Sequence, residues 1–228
     1  MNDSPAPSTA RARNENVSFK WELLRKGIHI CSLSIPVLYF YVSRDLMITL
    51  LIPLGAAFLI GDLLRLYHKP SFALYTRIFG RMLRTHEKTA AKKTFNGATW
   101  VLISALFCVL IFPKLITITA FTILIISDTM AALIGRRFGT RSYRGKTLEG
   151  STAFVASATL VILFTPKVAQ LPIEYIIAIV SSVIGAAAEV FSFNVIDDNF
   201  AIPAAIGVSL WLMYALFLPG LNVYILDI

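Results

Sequence analysis

The stretch KLITITAFTILIISDTMAALIGRRFG (Lys114–Gly139) decides how this chain is read. From Leu115 to Ser127 it carries no charged residue, and as a helix it is long enough to cross a bilayer, which takes about 20 apolar residues. It then reaches Asp128, and two turns later Arg136 and Arg137. A carboxylate at the middle of a spanning helix costs about 2.5–3.5 kcal/mol on insertion scales, so such residues usually line a polar site. One stretch therefore points both to the fold class and to the place where chemistry belongs.

Outward from it, apolar runs recur at about 27–43, 46–66, 95–112, 115–134, 152–168, 173–193 and 201–218. Pro113, Pro166, Pro172 and Pro219 punctuate their ends. Of 228 residues, 57% are hydrophobic and only 15% charged, with a mean hydropathy of +0.72, which a soluble domain does not show. The expectation is an all-α polytopic membrane protein of about seven transmembrane helices, with residues 21–228 as a single integral-membrane catalytic domain. Residues 1–20 are polar, with no apolar core and no cleavage site, and are expected to form a disordered tail and not a signal peptide. Cys31 and Cys108 lie in different runs and are expected to be buried packing residues, not a metal site or a disulfide.

The net charge of +8 could suit nucleic acid, but its distribution argues for no such partner. Eighteen of the 21 Lys and Arg residues fall before the first run, between the second and third, and between the fourth and fifth. Arg44, Lys114 and Lys167 alone occupy the alternate connections. Because positive residues stay on the cytoplasmic side, the N-terminus is expected inside. In FALYTRIFGRMLRTHEK, apolar Phe72, Tyr75, Phe79, Met82 and Leu83 recur at helical spacing, with Arg77, Arg81, Arg84 and Lys88 on another face. This predicts an amphipathic cytoplasmic helix on the membrane surface between spans two and three.

The acids follow the same sidedness. Asp62, Asp128, Glu149, Glu189, Asp197 and Asp198 all fall at or near the inner ends of spans. Each has a structural alternative: Asp62 has Arg65 three residues on, Glu189 shares a small-residue face with Ser182, Gly185 and Ala186, and Asp198 or Asn199 could cap the seventh span. Asp128 shares its face with Ala132 and Gly135, and beyond it lies GRRFGTRSYRGKTLEGS, with four glycines among basic residues. Exposed backbone N–H groups and cations suit phosphate, and a carboxylate beside them suits a divalent cation bridging phosphate oxygens. The pattern describes a nucleotide–metal site on the cytoplasmic surface. GTRSYRGKT is not a Walker loop, because five residues separate Gly139 from Gly145 where that motif has four.

SDTMAALIGRRFG followed by KTLEGS resembles the signature of the CTP-dependent lipid-alcohol kinases: dolichol kinase, phytol kinase and the CTP-using diacylglycerol kinase. ELLRKGIHI (Glu22–Ile30), FNGATW (Phe95–Trp100) and IDDNFAIP (Ile196–Pro203) resemble further segments of that family, in the same order. The resemblance implies CTP as phosphoryl donor, Mg2+ as cofactor and a membrane lipid alcohol as acceptor. It implies catalytic roles for Asp128, Glu149 and Asp198, which would also hold the metal. Glu189, on the same inner side, joins Asp197 and Asp198 as a catalytic candidate for accepting the hydroxyl proton. Arg25, Lys26, Asn96, Gly135, Arg136, Gly139, Lys146 and Thr147 would contact the nucleotide. His29 matches too, but a lone histidine near an interface reads as structural.

The related phosphatidate cytidylyltransferases share a similar pattern, so a CDP-lipid-forming enzyme is the nearest alternative. A non-enzymatic lipid transporter or scramblase is a third, although it should place its polar groups near mid-membrane. The protein is expected in a cell inner membrane or an endoplasmic-reticulum-type membrane, with the site facing the cytoplasm. The identity of the alcohol, the choice of general base and the oligomeric state stay open.

Overall fold

The computed structural model describes residues 19–80, 94–192 and 196–227. Residues 1–18 of the expected tail and Arg81, Met82, Leu83, Arg84 and Lys88 of the surface helix lie outside these residues, whereas Phe19 and Lys20, expected in the tail, are helical. Among the described residues the chain is helical apart from one two-stranded hairpin. The helices are α1 (Phe19–Cys31), α2 (Ser34–Tyr41), α3 (Arg44–Tyr67), α4 (Lys69–Phe79), α5 (Gly97–Ile111), α6 (Lys114–Phe138), α7 (Leu148–Phe164), α8 (Pro172–Phe191) and α9 (Asp198–Phe217). Between α6 and α7, β1 (Ser142–Tyr143) pairs antiparallel with β2 (Lys146–Thr147).

Local chemistry sets the boundaries. Ser43, Asn96, Thr147 and Asp197 each accept a backbone N–H at the start of α3, α5, α7 and α9. The cap of α9 is thus Asp197, not Asp198 or Asn199. Pro36 has no N–H to give the carbonyl of Ser32, which takes Ile35 N at 2.9 Å instead, and the chain breaks between α1 and α2.

Among the described residues, five helical segments are long and apolar enough to cross a membrane: Trp21–Tyr41, Arg44–Tyr67, Lys114–Phe138, Pro172–Phe191 and Asp198–Phe217. The other two expected spans correspond to α5, an apolar helix of 15 residues that is slightly shorter than its run, and α7, an apolar helix of 17 residues that matches its run in length but begins four residues earlier, at Leu148. α6 is the hub. It is buried along most of its length and packs against α1, α2, α7 and α9, while α8 packs against α7 and α9. Small residues permit the closest approaches. A Cβ on Gly150 of α7 would sit 2.9 Å from the carbonyl of Ala131 on α6. Ser182, Gly185, Ala186 and Glu189 form the buried face of α8 expected from their spacing, with Gly185 against Ile206 of α9.

The outside is apolar. Leu23, Leu24 and Ile28 of α1, and Leu50, Ile52, Leu54 and Ile60 of α3, are exposed, as lipid-facing residues must be. Cys108 is buried as expected, but Cys31 is exposed on this surface. It falls on the side of α1 that faces away from α6.

Candidate active site

Asp128 lies on α6, 8% exposed. Its carboxylate is held by Lys26 of α1, whose Nζ also lies 3.3 Å from the Asp128 carbonyl. His29 Nε2 is 3.5 Å from the same carboxylate oxygen. The sequence makes this possible because Glu22, Lys26 and His29 recur at i, i+4 and i+7, one face of a helix. α1 therefore turns a polar face inward and an apolar face out. Arg25, placed beside Lys26 as a phosphate contact, instead pairs with buried Glu22, and Arg136 Nη1 lies 3.7 Å from Glu22.

A second group forms around Lys146. Its Nζ lies 2.7 Å from Glu189 Oε1 on α8 and 2.6 Å from Asp198 Oδ2 at the start of α9. Asp198 is fixed further by Ser192, which donates to Oδ1 at 2.7 Å. Lys146 reaches this position from the hairpin, whose turn residues Arg144 and Gly145 have φ of 53° and 81°. Two positive φ values at the centre of a two-residue loop suit the twist of the strands. Burial pulls the Lys146 ammonium down, but Glu189, Asp198 and Asp128 outweigh it and hold the group above the ordinary lysine range. The two groups are thus one electrostatic cluster, joined through Asp128, which acts on Lys26 and on Lys146 alike.

Several expected site residues have other work. Gly135 and Gly139 let α6 approach Thr147, since a Cβ on Gly135 would meet Thr147 Oγ1 at 2.6 Å and one on Gly139 would meet Thr147 Cβ at 2.9 Å. Thr147 itself caps α7 through Gly150 N at 3.1 Å. Packing alone thus requires glycine at both positions, and Gly139 N–H donates to the Gly135 carbonyl at 3.0 Å. Asn96 caps α5 with Oδ1 and donates Nδ2 to Asp62 at 3.0 Å. Asp62 also accepts from Arg65, from Asn96 N and from Thr99, so it is a structural anchor.

Glu149 stands apart from the cluster. It accepts the backbone N–H of Thr140 at 2.9 Å and the Thr140 hydroxyl. Those hydrogen bonds, the Thr140 hydroxyl first, hold its carboxyl well below the usual range, at about 2. The expected metal triad of Asp128, Glu149 and Asp198 is therefore not assembled. Among the described residues no three His, Cys, Asp or Glu side chains converge as metal ligands. A protein-only cage does not fit. The two carboxylates beside Lys146, Glu189 and Asp198, do fit a magnesium ion that arrives on phosphates, since that ion needs only one or two carboxylates.

A cavity of about 230 Å³ opens beside Lys146, bordered by Arg141, Tyr143, Thr147, Ser151 and Val190. Sequence reasoning missed Glu22 and Ser192, and set His29 aside. Glu22 and His29 were detectable by their helical spacing from Lys26, whereas Ser192 carried no signal before α8 and α9 were placed together.

No family model matches the chain, and no solved structure is similar to it. An uncharacterized protein of Rickettsia prowazekii is 29% identical over 81% of this chain and 91% of its own length. The CTP-dependent diacylglycerol kinase 1 of Saccharomyces cerevisiae is 30% identical over 81% of this chain and 70% of its own. The protein of that name in Schizosaccharomyces pombe is 27% identical over 67% and 74%. With the lysine–carboxylate cluster gathered at one end of an apolar helical bundle, these relatives establish that the chain belongs to the CTP-dependent lipid kinase family.

Proposed function

We propose that the protein transfers the γ-phosphoryl group of CTP to the hydroxyl of diacylglycerol or a related lipid alcohol, polyprenol and phytol among them. The reaction would take place on the cytoplasmic side of the membrane. The observation that carries this reading is the convergence of Lys146, Glu189 and Asp198, 2.6–2.7 Å apart, beside the Lys26–Asp128 pair. Phosphoryl transfer needs positioning and charge stabilisation more than covalent chemistry, and buried cations beside carboxylates supply both.

In this mechanism Lys146 neutralises charge on the transferring group. Lys26 holds Asp128 in place, and Asp128 and Asp198 would hold magnesium. Bound there, magnesium would screen the triphosphate and draw charge onto the leaving oxygen. Glu189 is the candidate general base, because Asp198 has Ser192 on one oxygen and Lys146 on the other. It takes the proton of the lipid hydroxyl, whose oxygen bonds to the γ-phosphorus as the bond to the β-phosphate oxygen breaks and CDP leaves. Eighteen of 21 basic residues on alternate connections support a cytoplasmic site. The test is a screen of purified protein with CTP, magnesium and each alcohol, following CDP. Release of CDP with at least one alcohol, lost by orders of magnitude in a folded Glu189→Gln variant, is expected. Failure with every alcohol overturns the reading.

A further inference from the structure

A trough of about 600 Å³ runs between α7 and α8 on the outer side of the cluster. It is within the range of about 300–1,000 Å³ common for ligand sites. Val155 and Ala156 of α7 and Val183, Ala186 and Ala187 of α8 line it. These short side chains leave a channel where longer ones would have closed the two helices over it. At one end are Ser151 and Val190, and the same two residues border the cavity beside Lys146. The two spaces therefore adjoin, the trough apolar along the bundle and the cavity basic at its inner end, where Arg141 and Lys146 stand.

Ser151 marks the transition. Its neighbours on α7 turn their hydroxyls back onto the helix: Thr152 to Glu149 O, Ser157 to Ala153 O and Thr159 to Val155 O, at 2.7–2.9 Å. The hydroxyl of Ser151 has no such partner among the described residues. The trough follows α8 from Val183 to Val190, about 10 Å at 1.5 Å per residue. That is less than two helical turns, too short to seat a partner helix. A lipid that merely coats the protein has no need of a trough that adjoins a cavity bordered by Lys146.

We infer that the trough holds one aliphatic chain of the acceptor lipid, with Ser151 hydrogen-bonded to the polar group at the head of that chain. The reacting hydroxyl then enters beside Lys146 and Glu189. This rests on the kinase reading and gives it a direction of entry, sideways from the bilayer between α7 and α8.

The test uses the full chain in phospholipid nanodiscs with a diacylglycerol that carries a photoreactive diazirine in mid-chain. Cross-links are expected on the Val155–Ala156 and Val183–Val190 peptides, and unlabelled diacylglycerol should compete where phosphatidylcholine does not. Equal competition by phosphatidylcholine, or labelling spread evenly over α3, would mean a coating lipid only and overturn the inference. Ala156→Trp and Ala187→Trp fill the trough from exposed positions and should raise the KM for long-chain diacylglycerol tenfold or more, with the KM for CTP unchanged. Leu160→Trp, exposed on α7 outside the trough, should change neither. An active wild type whose acceptor KM ignores both trough variants sinks the trough alone. An inactive wild type sinks the kinase reading first.

Discussion

Replacing Asp128 with Asn separates what the aspartate does for stability from what it does for chemistry. In the folded protein the Lys26 side chain is 7% exposed and that of Asp128 is 12% exposed. Removing one member of such a buried pair costs about 3–5 kcal/mol, because the other charge is left uncompensated. Asparagine keeps a neutral acceptor of the same size, and Lys26 keeps the Asp128 carbonyl at 3.3 Å, so the lower end of about 3 kcal/mol is expected. For a chain of this size, at about 2–4 °C per kcal/mol, the melting temperature should fall by about 6–12 °C. A Lys26→Met, Asp128→Leu double variant should regain most of that loss, since exchanging a whole buried pair for apolar side chains is often neutral or stabilising. Coupling between the two positions should lie in the range of about 0.5–3 kcal/mol typical of contacting residues. The assay is thermal unfolding by intrinsic fluorescence in detergent, with phosphoryl transfer measured on the same samples. Transfer should be lost by orders of magnitude in both variants, even where the fold recovers. An Asp128→Asn protein that melts at or above wild type would refute the pairing with Lys26.

Three further outcomes are expected. The Glu149 carboxylate accepts Thr140, and its folded pKa of about 2 lies below the ordinary 4.5. Protection of the Thr140 amide from hydrogen exchange should therefore be full above pH 4.5 and fade as the pH falls through about 2, whereas a Glu149→Gln variant should show no such dependence. Gly150→Ala drives a methyl to 2.9 Å from the Ala131 carbonyl, so α6 and α7 must separate. A loss of about 1–3 kcal/mol is expected in denaturant unfolding, and an unchanged midpoint would deny the close approach. With Cys31 and Cys108 replaced, a cysteine at Ser142 should be shielded from an impermeant thiol reagent in intact cells and one at Lys167 should react. The reverse pattern would invert the proposed orientation.

The helical class, the positions of the apolar runs and the small-residue face of α8 were legible because hydrophobic period and punctuation are local properties. The bounds of α5 and α7 were less so, because Asn96 caps α5 inside its apolar run, and Thr147 starts α7 on residues ahead of its run while Pro166 follows its end. Asp128, Lys146, Glu189 and Asp198 were each singled out as candidates from burial cost and charge. Their partners were not, because an ion pair between α1 and α6, or among the hairpin, α8 and α9, depends on how helices are placed. A glycine also reads the same whether it exposes backbone or admits a neighbour, and Gly135 and Gly139 do the second. Glu149 followed the metal pattern in sequence but sits on the loop side of the α7 start, where Thr140 takes it up.

In the proposed reaction the chain moves a phosphoryl group, and no other part of CTP, onto a lipid hydroxyl. The most direct measurement gives purified protein two preparations of CTP, one labelled on the γ-phosphate and one on the α-phosphate, with diacylglycerol in mixed micelles. Only the γ label should enter the lipid fraction, with CDP released in equal amount. Entry of the α label with release of pyrophosphate would mean a cytidylyltransferase and would contradict the proposed reaction.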